Sequence, residues 1–260
     1  MVSSAIESPD HPFNGIFEKL KRANQNIVNL KSEIDTFIQK GKYPTIPHPD
    51  DKLWQEAATY HRDKIIPLRF SVLSGETIHH LRSILDHIVW HFSSEVVRRD
   101  FENVIEFPVL ELRPSSKDKP RRYDRKIQGI TNLSVIKLIA ALQPYRAGAD
   151  AADQPICIIH NMDRFDKHRE LAIVDSCAVP VFAIPPHRND LVRKVVLYSQ
   201  GKLPEADRPA VGYAIKNYAN ITPNVAFRKF GKREDQPVIP GLTQLADYMR
   251  DVVSRFGRFI

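Results

Sequence analysis

Residues 16–37 read IFEKLKRANQNIVNLKSEIDTF, the clearest structural pattern in the chain. The apolar residues recur at alternating spacings of four and three, which is typical of a helix with one narrow apolar seam. They are Ile16, Leu20, Ala23, Ile27, Leu30, Ile34 and Phe37. Gly41 and Pro44 follow, and proline cannot continue a helix. The sequence therefore predicts one helix over 16–38, packed against other helices or a second chain.

Downstream of this helix, the sequence contains segments typical of helices and segments typical of strands. Apolar residues at helical spacing predict helices over 67–97, 133–142, 155–166 and 242–256. Runs rich in β-branched and aromatic residues predict strands over 171–184, 191–199 and 224–230, and 104–112 fits a short strand. Residues 53–66 have no clean period and fit a strand or a short helix, with a strand favoured because a proline and a long helix follow. The basic stretch 115–128 fits a polar helix or a loop.

This order of helices, then strands, then a helix predicts an α+β fold. We expect a helical bundle, made of the long N-terminal helix, a histidine-rich second helix and a C-terminal helix, packed with an antiparallel β-sheet. A single domain over 1–260 is predicted. Its helical part covers about 12–166 plus 241–257, and its β-rich part covers about 167–235.

Composition indicates a soluble protein of the cytoplasm. The chain has 260 residues, 42% of them hydrophobic, and no apolar stretch approaches the roughly 20 residues that a bilayer span requires. The N-terminus lacks the order of a signal peptide, so neither a membrane nor export is expected. Cys157 and Cys177 lie in apolar runs and are predicted to be reduced and buried.

Positive charge is concentrated in two places. The formal net charge is +7, with 38 basic and 31 acidic residues. One basic knot covers Arg113 to Lys126, and the second comprises Arg228, Lys229, Lys232 and Arg233. Each is either a solvated surface or a contact for phosphate.

The predicted second helix contains an unusual number of ionisable residues in GETIHHLRSILDHIVWH (75–91). At about 100° per residue, two flanks emerge beside the apolar stripe. His79, Arg82 and Asp86 fall on the first flank, and His80, His87 and His91 fall on the second. An Arg82–Asp86 ion pair one turn apart is the simple interpretation of the first flank.

The spacing from Arg82 to His87 resembles the arginine, four residues, histidine motif of HEPN-type ribonucleases. The resemblance covers about one helix and implies metal-free RNA cleavage at a dimer interface. His87 would move the proton and Arg82 would hold the scissile phosphate. Positions five apart point about 140° away from each other on a helix, so a partner chain or a bend is required. Ser83 departs from the commoner family form.

The second flank also allows a metal site. His87 and His91 lie one turn apart, and His80 lies two turns back on the same side. The glutamate of the zinc-protease motif is absent, because residues 87–91 read HIVWH. A metal-dependent hydrolase is therefore a third alternative, and no cofactor is expected for the other two.

A second polar cluster occupies 160–169, HNMDRFDKHR, where a helix is predicted to give way to a strand. Surface interactions and a capped helix end would explain it. If it packs against 76–91, a candidate acid, base and cation site forms from Arg82, Asp86, His87, His160, Asp166 and His168. A buried polar network is the other interpretation.

Several motifs taken together are similar to those of a widespread group of bacterial and phage-associated proteins of unknown function. They are LRSILDH (81–87), FPV (107–109), LQPY (142–145) and DKHR (166–169). The similarity spans about 67–256 and implies that the helix and the DKHR turn belong to one ancestral unit.

Besides the metal-dependent hydrolase, two functions are expected as alternatives. One is a HEPN-like, metal-independent RNA endonuclease or phage-defence effector. The other is a non-catalytic, homodimeric interaction or sensor module that binds RNA or another phosphate-bearing ligand. P-loop, G-x-S-x-G, CxxC and dinucleotide-binding motifs are absent from the sequence.

Overall fold

The structure is a computed structural model in which the chain forms two compact units. The first comprises Met1–Ser32, Leu68–Ile173 and Phe227–Ile260, and the second comprises Glu33–Pro67 and Val174–Ala226. The residues that the structure describes are 11–40, 46–47, 66–113, 120–168, 174–182, 184–185, 187–199, 203–227, 229–233 and 236–260.

The N-terminal helix α1, Asn14–Lys40, confirms the continuous helix predicted from the apolar seam. Six of the seven seam residues have relative exposures of 8% or less, namely Ile16, Leu20, Ala23, Ile27, Leu30 and Ile34. Phe37 is only half-buried. The seam thus packs as its period requires.

The first unit is a helical assembly. Its further α-helices are α2 (Leu68–Phe92), α3 (Glu95–Asp100), α4 (Pro120–Ile127), α5 (Leu133–Ala141), α6 (Pro155–His168) and α9 (Val238–Phe256). Short 3-10 helices cover Glu102–Val104, Pro144–Asp153 and Gly257–Phe259, and a two-residue strand covers Gln236–Pro237. Helix α6 packs against α2, and α9 packs against both. Residues predicted for the C-terminal helix face, such as Leu245, Met249 and Phe256, are fully buried.

Besides the end of α1, the described residues of the second unit form a small sheet, two α-helices and the 3-10 helix Glu205–Asp207. Its strands are β1 (Ile46–Pro47), β2 (Val174–Phe182) and β3 (Ala219–Phe227, whose last residue belongs to the first unit). Strand β3 lies between β1 and β2, and β1 pairs with it antiparallel, with Ile46 opposite Ile221. Helices α7 (Asn189–Ser199) and α8 (Arg208–Tyr218) pack together. The chain is thus mostly helical with a small antiparallel sheet, an α+β fold.

The strand predicted over 191–199 is wrong, because these residues belong to α7. Asp190 lies in the first turn, where a negative charge is favourable. Leu191 is buried and Val195 half-buried one turn later, while Val192 and Val196 are exposed. Packing against α8 therefore outweighs the β propensity of the valines.

The strand predicted over 104–112 is also wrong. A 3-10 helix ends at Val104, and residues 105–110 belong to neither a helix nor a strand. Pro108 has no N–H, and the N–H groups of Phe107 and Leu110 donate to side chains, described below.

Other predicted boundaries change in smaller ways. The helix predicted over 67–97 is interrupted at Ser93 and Ser94, and part of 115–128 forms α4. The strand predicted over 53–66 lies almost entirely outside the described residues, as does the side chain of Cys177. Cys157 is buried and not bridged, as predicted. The single domain stays a prediction, because two compact units can still unfold together.

Within the described ranges, the helices lack the combination of length and apolarity that crossing a membrane requires.

The seam of α1 provides a stability test. Leu30 is fully buried, whereas Val28 on the same helix is 62% exposed. We expect Leu30→Ala to lower the free energy of unfolding by about 2–5 kcal/mol. Val28→Ala should change it by no more than about 0.5 kcal/mol. Denaturant unfolding of both variants measures the difference, and equal effects would contradict the observed packing.

Candidate functional site

Arg82 of α2 lies at the centre of the site with only 4% of its surface exposed. Its Nη1 donates to Asp86 Oδ1 at 2.6 Å, one helical turn away. Its Nη2 donates to the Phe107 carbonyl at 3.1 Å, and its Nε donates to His160 Nδ1 at 3.4 Å. All three nitrogen atoms of the guanidinium are therefore bonded to other parts of the protein.

The segment 105–111 is held largely by side chains, together with one backbone bond in which the Tyr145 N–H donates to the Leu110 carbonyl at 3.0 Å. Asp86 Oδ1 accepts from the Phe107 N–H at 2.9 Å, beside the Arg82 bond to the Phe107 carbonyl. Gln143 is 2% exposed; its Oε1 accepts from Leu110 N at 3.1 Å, and its Nε2 donates to the Pro108 carbonyl at 2.9 Å. The LRSILDH, FPV and LQPY motifs thus meet in one hydrogen-bonded network.

The 160–169 segment packs against the 76–91 segment, as predicted. Besides the contact between Arg82 and His160, His79 Nδ1 lies 3.0 Å from Asp163 Oδ1, and Asp163 is 6% exposed. A Cβ placed on Gly75 would lie 2.7 Å from Asp166 Oδ1. Helix α2 therefore approaches α6 closely on this side.

His160 is an uncharged imidazole at neutral pH. Burial lowers its pKa to about 4, and the charges of Arg82, Arg164 and Lys126 contribute to the lowering. Because Nδ1 accepts from Arg82, the proton of the neutral ring resides on Nε2. His160 can therefore donate one hydrogen bond from Nε2 to a bound group.

Asp86 is at the rim of the network, with 37% of its side chain exposed. Removal from water raises its pKa, while Arg82 and the N–H of Phe107 oppose that rise by stabilising the carboxylate. Its bonds to both groups show that its role in the fold is to join α2 to the 105–111 segment.

A polar stripe runs along α6 at helical spacing. Its members are Cys157, His160, Asn161 and Arg164. The Cys157 thiol donates to Glu111 Oε2 at 3.8 Å and accepts from Asn161 Nδ2 at 3.4 Å. Burial raises the pKa of this thiol to about 11, so it is protonated and unreactive at neutral pH.

His87 lies on the other flank of α2, exposed and away from Arg82. A Cβ on Gly15 of α1 would be 3.9 Å from His87 Nδ1. On the same flank, the rings of His91 and Phe13 make an edge-to-face contact, with their centroids 5.3 Å apart. His80 also lies on this flank, where burial and the charge of Lys19 lower its pKa. The two predicted flanks thus face α6 and α1, respectively.

The structure therefore does not bring all of the predicted site residues together. Arg82, Asp86 and His160 share one network, Asp166 lies against Gly75, and His87 lies on another surface. His168 ends α6, and its side chain is outside the part that the structure describes. Among the described residues, no three histidine, cysteine or acidic side chains are grouped closely enough to hold a metal ion.

Sequence reasoning missed several participants. Gln143 lies inside the LQPY motif and Asp163 lies inside the 160–169 segment, so both could have been found from the motifs. Glu106 forms an ion pair with Lys126, and both act on the pKa of His160. No local signal marks Glu106 or Lys126, because they meet only in the folded chain.

Comparison with known protein families, with curated proteins and with solved structures gave no match.

Because α2 approaches α6 closely, we expect two glycine substitutions to change the free energy of unfolding in opposite directions. Gly75→Ala should lower the free energy of unfolding by about 1 kcal/mol, because the new methyl group displaces the Asp166 carboxylate. Gly212→Ala, in α8 with open space around it, should raise it by about 0.5–1 kcal/mol. Thermal unfolding measures both.

A double substitution is the control. In an Asp166→Ala background, Gly75→Ala should become stabilising, since the obstructing carboxylate is gone. A destabilising effect that persists there would show that the approach of Asp166 is not its cause.

The lowered pKa of His160 predicts a pH effect with a defined sign. Its contribution to stability is complete above the unfolded pKa of about 6.5 and is lost as the pH falls toward the folded value of about 4. The variant His160→Gln retains an acceptor for Arg82 but cannot be protonated. Between pH 6.5 and pH 4, its free energy of unfolding should therefore fall by about 2 kcal/mol less than that of the wild type. The exposed His187 provides the control His187→Gln. Identical pH profiles for wild type and His160→Gln would refute the expectation.

Proposed function

We propose that this chain is a non-catalytic module that binds a phosphate-bearing ligand beside His160, in the cytoplasm. The observation that carries the proposal is the convergence of three cationic side chains, Arg82, Lys126 and Arg164, on one neutral imidazole. A positive potential at a partly buried site attracts an anion more strongly than the same charges would in open solvent.

The charges in this cluster differ in their availability. Arg82 is paired with Asp86, and Lys126 is paired with Glu106. Arg164 is exposed and forms no hydrogen bond or ion pair with the residues that the structure describes. Its guanidinium can therefore form a bidentate contact with a phosphate group. The Nε2–H of His160 supplies a neutral donor on the same stripe of α6.

The bonding of Arg82 favours binding over cleavage. A catalytic arginine must be free to contact the scissile phosphate, and this guanidinium is 4% exposed with all three nitrogen atoms engaged. Opening the network would leave Asp86 and the Phe107 backbone without their partner.

A HEPN-like RNA endonuclease acting as a homodimer is the second proposal. His87 favours it, because this side chain is exposed at the surface while burial of part of the ring and the charge of Lys19 lower its pKa. A neutral imidazole on the surface can accept the proton of a ribose 2′-hydroxyl. The required cation would come from a second copy of the chain.

One set of variants separates the two proposals. Arg164→Ala should weaken binding of a fluorescent single-stranded RNA about tenfold, since it removes a charge-assisted hydrogen bond. Arg82→Ala should instead lower the free energy of unfolding by about 3–5 kcal/mol, as expected for breaking a buried pair. His87→Ala should change neither. Fluorescence anisotropy and thermal unfolding provide these measurements.

The control variant is Lys137→Ala, an exposed lysine of α5. Equal binding by the Arg164 and Lys137 variants would end the binding proposal. RNA cleavage by the wild type in the presence of a chelator, abolished by His87→Ala in a protein that stays folded, would establish the endonuclease instead.

A further inference from the structure

The two basic knots are far apart in sequence, yet described residues of each lie beside the same short segment of the first unit, Pro144–Asp153. On the first side, Tyr123 of α4 is close enough to Tyr145 and Arg146 for both to act on its pKa, which burial raises to about 12. Lys126 lies one turn further along the same helix.

The second knot docks on the other end of this segment. Lys232 Nζ donates to the carbonyl of Ala149, and the Lys232 N–H donates to Asp153 Oδ1 at 2.7 Å. Gly231 has a φ of +67°, and a Cβ there would lie 2.5 Å from Asp153 Oδ1. A glycine is therefore required for the turn to seat against the segment.

Arginine–aromatic contacts occur on both sides. The guanidinium of Arg146 lies 5.9 Å from the centre of the Tyr145 ring, and that of Arg233 lies 5.2 Å from the centre of the Phe230 ring. A planar guanidinium supported by a ring offers a surface on which a nucleobase stacks. Lys229 and Arg146 are exposed and supply charge for phosphates.

We propose that a single-stranded nucleic acid follows this basic strip. Its path starts at Arg164 and His160, passes Arg146 and ends at Lys229 and Arg233. Stacking on a guanidinium requires an unpaired base, which is why a single strand fits better than a duplex. The inference rests on the proposed function, because the phosphate site beside His160 is one end of the path.

The experiment compares charge reversals at the two ends of the strip in the full chain. The probes are a fluorescent single-stranded RNA of about 12 nucleotides, a DNA of the same sequence, an RNA duplex and adenosine monophosphate. Lys229→Glu reverses the distal end and Arg164→Glu reverses the proximal end. Lys216→Glu in α8 is the matched control, since Lys216 is an exposed lysine of the second unit.

We expect Lys229→Glu to weaken binding of the single strand about tenfold. The slope of log affinity against log salt should become less steep by about 0.7 for each phosphate that the variant no longer binds. Binding of adenosine monophosphate should not change, because the mononucleotide reaches only the proximal end. Arg164→Glu should weaken binding of both probes. The RNA and DNA single strands separate recognition of the ribose from recognition of the shared backbone and bases.

Three results would overturn the inference. If Lys229→Glu binds the single strand as tightly as the Lys216 control does, while Arg164→Glu fails to bind adenosine monophosphate, the proposed path along the strip is wrong. The phosphate site beside His160 is then still supported. If the duplex binds as tightly as the single strand, with the same weakening in Lys229→Glu, the single-strand assignment is wrong. If neither end matters, the proposed function fails as well. Should Lys229→Glu melt below the wild type, Arg146→Glu tests the strip at its middle instead, with the same expected loss of single-strand binding.

Discussion

The segment 105–111 imposes the central constraint on the first unit, because it belongs to neither a helix nor a strand. Buried backbone N–H and C=O groups need partners. Arg82 and Asp86 bind the carbonyl and the N–H of Phe107, while Gln143 binds the groups of Pro108 and Leu110. Two side chains of one helix and a third from a loop thus replace the ladder of a sheet.

This replacement determines the chemistry available nearby. Arg82 is committed to the fold, and its charge also helps to keep His160 neutral by opposing a second positive charge beside it. The proposed anion site therefore uses Arg164 and the neutral Nε2–H of His160, while all three nitrogen atoms of Arg82 are engaged within the protein. Structure and electrostatics are linked through this one guanidinium.

The sequence allowed prediction of features that depend on local periodicity. Helix α1, the buried face of the C-terminal helix and the two polar flanks of α2 all follow from a repeat of 3.6 residues. The prediction failed where tertiary contacts decide the outcome. Residues 191–199 have β-branched side chains yet pack as a helix against α8, and 105–111 bonds to side chains in place of a partner strand. The pairing of Glu106 with Lys126 and the approach of Lys232 to Ala149 join residues distant in sequence, so no local pattern could indicate them.

The geometry also explains why the LRSILDH motif need not denote one reaction centre. Residues four apart on a helix share a face, whereas residues five apart point about 140° away from each other. Asp86 accordingly meets Arg82 inside the network, and His87 faces the side of α1. The bonds of Arg82 and Asp86 tie α2 to the rest of the first unit. The motif therefore encodes how α2, the 105–111 segment and α6 are assembled, and a role in catalysis would require the exposed imidazole of His87 to act with groups from a second chain.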